Sequence, residues 1–392
     1  MKKYLILASF FFLSCIIAPC VNCQWQQTFW PKDVHCFGNL GSKILAASFN
    51  TIIVSYDSGL TWSTVWDQHS VSNMIYAIVS KDSFLFAGCD SGIFKSEDKG
   101  NTWIKVGNQS ITSNVLSLLA KDNTIIAGSY GGIFRSIDNG LNWSVIDVHG
   151  VLFENFVVHY NYIFSSTYTT GVFRSSDNGY HWGKVLSDTI CGDCYTAVSG
   201  NNIFTIGRDT VYISSDNGTS WRPTSSIFST AGFSGASSAI VAIGSNIFVG
   251  ANDADGGVVL STNEGQSWKK IGSMHRVNSL FISGDYIFAG TNNTGVYRAR
   301  LSDFGVDAVS ASSTKNISKF SILSNPITTS AGFQFDALKE SSNFELFDLL
   351  GRSVLRQQLS AGQSSLHLEM LKYPAGIYFA RLGGETVRFI KY

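Results

Sequence analysis

The sequence predicts an all-β protein in which a seven-bladed β-propeller is followed by a small Ig-like β-sandwich. Three observations predict this architecture. A motif of the form Ser-x-Asp-x-Gly-x-x-Trp returns at intervals of 39 to 47 residues, the length of one four-stranded propeller blade. Aromatic residues make up 13% of the 392-residue chain and glycines number 37, which favours short strands joined by tight turns. After Leu301 the motif disappears, and a polar stretch precedes a second region with strand-like patterning.

The repeated motif is a candidate hairpin turn that occurs six times. Its first copy runs from Ser55 through Asp57 and Gly59 to Trp62, and successive copies begin 41, 40, 39, 39 and 47 residues apart. We expect the carboxylate to accept hydrogen bonds from turn amides, the glycine to adopt a positive φ and the tryptophan to anchor the turn. The residues at the carboxylate position are Asp57, Asp98, Asp138, Asp177, Asp216 and Asn263. We interpret these side chains as structural rather than catalytic.

This motif resembles the Asp-box, or BNR, repeat of sialidases, sortilin-like receptors and many bacterial propellers. The resemblance covers most of residues 24–301 and implies a β-propeller. Arg135, Arg174 and Arg298 occupy one equivalent position in their repeats. The repeat therefore explains these arginines better than the arginine triad of a sialidase does.

A seventh set of strand signals ends at residues 295–298 and has no such turn after it. We expect residues 25–29, which precede the first inner strand, to supply the missing outer strand and close the ring. Closure removes the open edges that a linear array of sheets would expose. We also expect mostly small residues at one equivalent place on the crowded inner strands: Cys36, Ala77, Ser117, Asn155, Ala197, Ala239 and Ser279.

The first residues have the features of a secretory signal peptide. Two lysines precede an apolar run over residues 4–18, which is too short to span a bilayer. We expect cleavage after Ala18 or Cys23, and we assign residues 1–23 to the signal peptide. The three cysteines in this region match a lipid-attachment box poorly, which disfavours a lipoprotein. We expect no membrane span after signal removal, because no later apolar stretch is long enough.

Composition excludes several classes of function. Lys+Arg and Asp+Glu each number 28, and charged residues make up 14% of the chain, so no nucleic-acid partner is expected. The seven histidines form no paired metal-ligand spacing, and no phosphate-binding loop or nucleophile motif occurs in the sequence. Residues 252–256 lack the distant glutamate of a calcium loop, so we interpret them as an acidic turn. We expect no metal, no cofactor and a monomeric chain.

Residues 302–318 are typical of a linker, and residues 319–392 form a second β-domain in which apolar and polar residues alternate, as in a two-sheet sandwich. The order of its motifs resembles the C-terminal sorting domain of type IX secretion in Bacteroidota. The matching segments are 324–326, 347–354, 371–379 and 387–392, although the first has Leu323-Ser where Tyr-Pro is more usual. The resemblance implies export by the type IX secretion machinery, followed by cleavage, with the propeller attached to the cell surface or released. The alternative is an ordinary carbohydrate-binding or Ig-like module.

Cys191 and Cys194 are candidates for a disulfide, which export makes possible. The alternative is a redox Cys-x-x-Cys pair, which needs a helix N-terminus to lower the thiol pKa. No helical pattern follows Cys194, so a structural disulfide is favoured. The sequence leaves the states of Cys36 and Cys89 open.

Propeller ligands usually bind over the axis, on the loops from outer to inner strands and from second to third strands. We expect the repeated turns to lie at the opposite end of the blades. The candidate ligand-binding residues on the second-to-third-strand loops are Phe49, Asp90, Tyr130, Tyr168, Arg208, Asp253, Asp255 and Asn292. The incoming loops add His69, Glu154, Asp193, Tyr195 and His275. These residue types suit sugar or peptide recognition, and they also suit ordinary solvated loops.

The sequence is therefore consistent with two functions. The first is an exported binding module, secreted or on the outer-membrane surface, for a glycan, a peptide or an envelope protein. The second is an Asp-box glycoside hydrolase, which would need two carboxylates roughly 5–10 Å apart facing one cavity. The sequence singles out no such pair, so we assign no catalytic residue. A role in protein assembly rests on fold analogy alone.

Overall fold

The fold is described from a computed structural model, which divides the chain into two compact units, Met1–Ala308 and Val309–Tyr392. The structure describes residues 24–29, 33–67, 73–107, 111, 114–130, 132–146, 151–187, 194–207, 209–227, 237–253, 256–306, 320–322, 329–338, 341–348, 352–382 and 385–391. The expected signal peptide and most of the expected linker therefore lie outside the described residues.

The first unit contains seven four-stranded antiparallel sheets, called blades 1 to 7. Strand β1 (Gln26–Phe29) precedes them. Blade 1 contains β2 (Cys36–Leu40), β3 (Lys43–Ala47), β4 (Thr51–Ser55) and β5 (Ser63–Asp67). Blade 2 contains β6 (Ile75–Lys81), β7 (Phe84–Cys89), β8 (Gly92–Ser96) and β9 (Ile104–Val106). Blade 3 contains β10 (Val115–Lys121), β11 (Thr124–Ser129), β12 (Gly132–Ser136) and β13 (Ser144–Ile146). Blade 4 contains β14 (Phe153–His159), β15 (Tyr162–Thr167), β16 (Gly171–Ser175) and β17 (Gly183–Ser187). Blade 5 contains β18 (Tyr195–Ser199), β19 (Asn202–Gly207), β20 (Thr210–Ser214) and β21 (Arg222–Pro223). Blade 6 contains β22 (Ser237–Ile243), β23 (Asn246–Ala251), β24 (Gly257–Ser261) and β25 (Lys269–Gly272). Blade 7 combines β26 (Val277–Ser283), β27 (Tyr286–Thr291) and β28 (Gly295–Arg300) with β1, and a 3₁₀ turn (Leu301–Phe304) follows.

Strand β1 completes blade 7, as the sequence predicts. It pairs antiparallel with β28, with Gln26 opposite Arg298. The first strands of successive blades contact one another, and β2 of blade 1 contacts β26 of blade 7, so the seven sheets form a ring. Trp25, just before β1, donates its indole N–H to the Ile271 carbonyl at 3.0 Å, and its ring centroid lies 5.8 Å from that of Phe304. The pairing of β1 with β28 joins the first and last strands of this unit in one sheet, and Trp25 adds a contact with blade 6.

The repeated turns lie between the third and fourth strands of blades 1 to 6. In the first, Ser55 donates its hydroxyl to Asp57 at 2.8 Å, and the Gly59 amide donates to Ser55 Oγ at 2.7 Å. The Asp57 carboxylate also accepts the amide and the hydroxyl of Thr61, at 2.9 and 2.6 Å. Three of these bonds recur in the other five turns, including the one with Asn263. They are the bond from the serine hydroxyl to the Asp or Asn side chain, the bond from the glycine amide to the serine, and the bond from the amide four residues after the Asp or Asn to its side chain. These side chains fasten the turn, which agrees with their interpretation as structural.

The turn of blade 1 also fits closely against the preceding blade, blade 7. Gly59 has a φ of 78°, and a Cβ placed there would lie 2.3 Å from the ring of Phe288 in blade 7. Glycine is therefore required both by the backbone and by the neighbouring side chain. The three arginines at one repeat position each bond to the turn of the next blade, where the acceptor is the backbone carbonyl of the residue just before the turn glycine. The bonds run from Arg135 to Asn178, from Arg174 to Asn217 and from Arg298 to Ser58. These three side chains therefore link neighbouring blades.

One inner-strand prediction is wrong. We expected Ala197 to occupy the place of the small residue in blade 5. In blade 2, Ala77 pairs with Gly88, and the equivalent pair in blade 5 is Tyr195 with Ile206. The pairing of β18 with β19 shows no register shift. Tyr195 therefore takes the inner-strand place that our alignment gave to Ala197, two residues later.

The second unit is a sandwich of two sheets, in the orders β29-β30-β33 and β32-β31-β34-β35. Its strands are β29 (Ser321–Ile322), β30 (Ser330–Gln334), β31 (Ser342–Asp348), β32 (Ser353–Leu359), β33 (Ser365–Glu369), β34 (Gly376–Leu382) and β35 (Glu385–Lys391). Phe333 of one sheet packs on Phe344 and Phe389 of the other, with ring centroids 5.2 and 5.7 Å apart. These buried side chains belong to a single apolar core. Within the described residues, no helix is long and apolar enough to cross a membrane.

The contacts of Trp25 predict that ring closure stabilises the propeller. Trp25→Ala removes the indole hydrogen bond and the contact with Phe304, and we expect a loss of about 2 kcal/mol, below the 3–5 kcal/mol of a fully buried Trp. Tyr56→Ala is the control, because that side chain is 66% exposed and should cost less than about 0.5 kcal/mol. Denaturant unfolding monitored on the propeller measures both. Equal costs for the two variants would contradict the role of Trp25.

The repeated turns predict a specific loss of stability in acid. Hydrogen bonds from Thr61 hold the pKa of Asp57 at about 2, and those from Ser220 do the same for Asp216. Because these values lie below the unfolded value of roughly 3.9, the stabilisation is complete above that pH and is lost as the pH falls through about 2. Replacing both residues with Asn, as in the natural Asn263 turn, should flatten the acid limb of stability against pH. Asn263→Asp should steepen that limb, and unchanged slopes in both variants would refute the assignment.

Candidate functional site

A cavity of about 360 Å³ lies at the end of the ring where the inner strands begin. Every blade contributes to its lining, so the cavity lies over the axis; we call it the axial cavity. The residues that line it are His35, Tyr76, Leu116, Tyr130, Glu154, Tyr195, Ser238, Asn252 and Asn278. The repeated turns are at the opposite ends of the third strands, so they are separated from this site.

Five of the lining residues sit at the same irregularity of the inner strand. The register of β6 with β7 shifts between Ile75 and Ala77, and Tyr76 is the residue between them. The same shift occurs in four other blades, and the five residues concerned are Tyr76, Leu116, Glu154, Ser238 and Asn278. A bulge leaves its extra residue out of the ladder and re-aims its side chain. A repeated backbone feature therefore presents a different side chain to the cavity from each of these blades.

Asp90 fixes the position of Tyr76. Its carboxylate accepts the Tyr76 hydroxyl at 2.7 Å and the Met74 amide at 2.8 Å, and its own amide donates to the Met74 carbonyl at 3.2 Å. Burial, together with the hydrogen bond to Asp90, raises the pKa of Tyr76 well above its usual range. Tyr76 is therefore a neutral phenol whose proton is directed towards Asp90. Asp90 shapes the cavity through Tyr76.

His35 forms the blade-1 part of the lining. Burial lowers the pKa of His35, and the Asp33 carboxylate, 4.0 Å from Nε2, offsets part of that effect. The imidazole is therefore neutral near pH 7. Its ring stands edge-on to Phe49, with centroids 5.7 Å apart and an interplanar angle of 81°. Phe49, which is 40% exposed, thus contacts a residue of the cavity wall.

Blades 6 and 7 supply further polar groups to the wall. Ser238 donates its hydroxyl to the Val277 carbonyl, and Asn278 donates its side-chain amide to the Val34 carbonyl at 3.4 Å. Asn252 is exposed at the cavity mouth. Across the described lining there are three tyrosines, two carboxamides and one carboxylate, with no lysine or arginine. Such a surface offers ring faces and neutral hydrogen-bonding groups rather than a strong charge.

The structure brings together part of the predicted site. Tyr130, Glu154 and Tyr195 line the axial cavity, whereas Phe49 and Asp90 contact lining residues. Four other candidates are described but do not line it: Tyr168, Asp253, His275 and Asn292. Arg208, Asp255, His69 and Asp193 lie outside the described residues, so their roles stay predictions.

The sequence reasoning missed six lining residues: His35, Tyr76, Leu116, Ser238, Asn252 and Asn278. All of these except Asn252 directly precede a residue that the sequence analysis assigned to the small-residue place on an inner strand. The position before that place in each repeat was therefore a usable signal.

The structure describes three of the four cysteines that follow the expected signal peptide. Cys194 is disulfide-bonded, and its pairing with Cys191 stays a prediction because Cys191 is not described. Cys36 and Cys89 are free, buried thiols. No cluster of three or more metal-ligating side chains occurs among the described residues.

Comparison with known proteins identifies the C-terminal unit. Residues 321–391 match the secretion system C-terminal sorting domain, the sorting tail of type IX secretion. The chain therefore carries a sorting domain that indicates secretion or cell-surface export. No match to a curated protein was found.

Solved structures support the propeller fold. The extracellular domain of the putative one component system BT4673 from B. thetaiotaomicron has a TM-score of 0.56 at 12% identity, covering 92% of this chain and 56% of that one. A structure of YCF48 bound to D1 peptide has a TM-score of 0.58 at 14% identity, covering 71% of this chain and 97% of that one. An ancestral GH74 enzyme has a TM-score of 0.55 at 14% identity, covering 70% of this chain and 48% of that one. The chain thus spans little more than half of the BT4673 domain, and at these identities the likeness concerns the fold alone.

The contacts of Asp90 predict that it stabilises the cavity wall. Asp90→Ala leaves the Met74 amide and the Tyr76 hydroxyl without their acceptor, and we expect a cost of about 1–3 kcal/mol in denaturant unfolding. Tyr76→Phe removes one donor and keeps the Met74 bond, so it should cost only about 1 kcal/mol. The assignment would be wrong if Asp90→Ala unfolded at the same denaturant concentration as the parent.

Proposed function

We propose that this chain is an exported binding protein whose axial cavity holds a segment of a glycan or a peptide. The sorting domain supports export. The cavity itself carries the binding proposal, because its lining changes from blade to blade while the surrounding framework repeats. A cavity over the axis of a ring is also the usual position for a propeller ligand.

The lining favours a neutral or cationic ligand. Glu154 supplies a negative charge, and the described lining contains no cationic side chain to balance an anionic ligand. A second anion in a partly desolvated cavity would be repelled. Tyr130 and Tyr195 offer ring faces, and Asn252 offers a carboxamide. Sugars and peptide backbones are bound by such combinations of aromatic and amide groups.

The processing of the chain is part of the same proposal. Residues 1–23 would direct export across the inner membrane as a signal peptide, and the sorting domain would then engage the type IX machinery. The repeated turns would place the propeller in the Asp-box group. Cleavage of the sorting domain would leave a monomeric propeller on the cell surface or in the medium.

A glycoside hydrolase is the second candidate, and the position of Glu154 in the axial cavity is the observation in its favour. Hydrolysis needs a second carboxylate roughly 5–10 Å away. Asp90 is engaged by Tyr76 and Met74, and Glu154 is the one carboxylate of the described lining. Asp193 and Asp255 are outside the described residues. The binding role therefore has the stronger support.

The proposal is tested by screening residues 24–392, the chain without its expected signal peptide, against neutral, basic and acidic glycans and peptides. Peptides belong in the panel because the fold neighbour YCF48 was captured with one. We expect a neutral or basic ligand to bind, and Tyr130→Ala to weaken it about tenfold, equivalent to about 1.4 kcal/mol. Tyr56→Ala, at the opposite end of its blade, is the matched control and should leave affinity unchanged.

The outcomes separate the alternatives. An absence of binding across the panel, or equal affinity of the Tyr130→Ala and parent proteins, would refute the axial site. Release of sugar from a bound glycan that Glu154→Gln abolishes would transfer the assignment to a hydrolase.

A further inference from the structure

The C-terminal unit contains a second cavity of about 360 Å³, formed where two separate segments meet. Asp348, Arg352 and Val354, at the adjacent ends of β31 and β32, form one side, and residues 373–378, which lead into and begin β34, form the other. Both belong to the parts of the sequence that resemble a sorting domain, 347–354 and 371–379. We call this space the sorting-domain cavity. The propeller has no part in its lining.

The walls of this cavity are mainly apolar, with a fixed charge at the edge. Val354 and Ile377 contribute aliphatic surface, and Tyr373 and Tyr378 contribute ring surface. The two rings meet edge-on with centroids 6.2 Å apart, and the Tyr378 hydroxyl donates to the Pro374 carbonyl at 2.8 Å. These contacts hold the loop before β34 against the strand that follows it.

Arg352 is held by Asp348 and is exposed to solvent. Its amide and its Nε donate to the two oxygens of Asp348, at 3.0 and 2.7 Å. The Arg352 side chain is 74% exposed, and its Nη groups make no hydrogen bond to the described residues. A guanidinium held in this way presents its two outer nitrogens to solvent, where a carboxylate can bind to both.

Gly376 lines the cavity although the fold does not require glycine there. A Cβ built at Gly376 would meet no atom within 4 Å, and its φ is outside the left-handed region. Gly376 begins β34 and pairs with Lys391 of β35. Its lack of a side chain therefore keeps space open beside an ordered strand, instead of relieving strain or a close packing contact.

We propose that the sorting-domain cavity is the surface by which the secretion machinery holds this chain. The partner inserts an apolar side chain between Val354 and Ile377 and places a carboxylate on Arg352. This inference rests on the proposed engagement of the sorting domain by the type IX machinery. It is independent of the ligand of the axial cavity, because the two cavities share no residue.

The test is export of the full chain in a host that has a type IX secretion system. Gly376→Leu fills the open space, and Arg352→Glu reverses the charge at its edge. We expect each to lower the exported fraction about tenfold, with full-length chain retained in the periplasm. Gly183→Leu is the matched control, because a Cβ at Gly183 also meets no atom within 4 Å and this residue lies in the propeller. His367→Glu, on an exposed position of the other sheet, controls for added charge.

Thermal unfolding of each purified full chain accompanies the export measurement. If Gly376→Leu unfolds at a lower temperature than the parent, Arg352→Glu decides, because that exposed side chain leaves the apolar walls intact. Export of Arg352→Glu at the parent level overturns the proposal, whatever the later processing of the chain. A tenfold loss of export with parent-like unfolding, and with both controls exported normally, supports it.

Discussion

Each blade of the propeller is a single sheet that can bury its two faces only against its neighbours. The ring must therefore close, and pairing of β1 with β28 achieves this by completing the last blade with the first strand of the chain. With closure, no blade is left with an unpartnered face, and the first strands of all seven blades surround one axis. The axial cavity exists because those strands converge, so its geometry depends on closure.

The propeller separates the task of holding its blades together from the task of presenting a binding surface. At one end, the repeated turns use the same hydrogen bonds, and Gly59 and Arg298 connect the turn of blade 1 to blade 7. At the other end, bulges in five inner strands direct unlike side chains into the cavity. Side chains at bulges can differ without disturbing the paired residues on either side. The variable site is therefore supported by an almost invariant frame.

The sequence predicted the parts of the fold that depend on local pattern. The turn around Asp57 and the role of residues 25–29 followed from motif spacing and from the count of strands. The binding surface was predicted less completely, because Tyr76 enters the cavity through a register shift between two strands, which no local pattern reports. Asp90 was a candidate on its loop position alone, whereas its hydrogen bond to Tyr76 depends on the fold. The error at Ala197 has the same origin, since the register of β18 with β19 decided which residue took the inner place.

The bulged inner strands are proposed to build a binding site over the axis, and a crystal structure of residues 24–392 with the tightest ligand found is the decisive measurement. We expect the ligand to lie over the axis and to contact Tyr130 and Glu154, which come from different blades, with the repeated turns untouched. A ligand bound at the rim, on the outer strands or beside the repeated turns, without contact to the axial cavity, would refute the axial site.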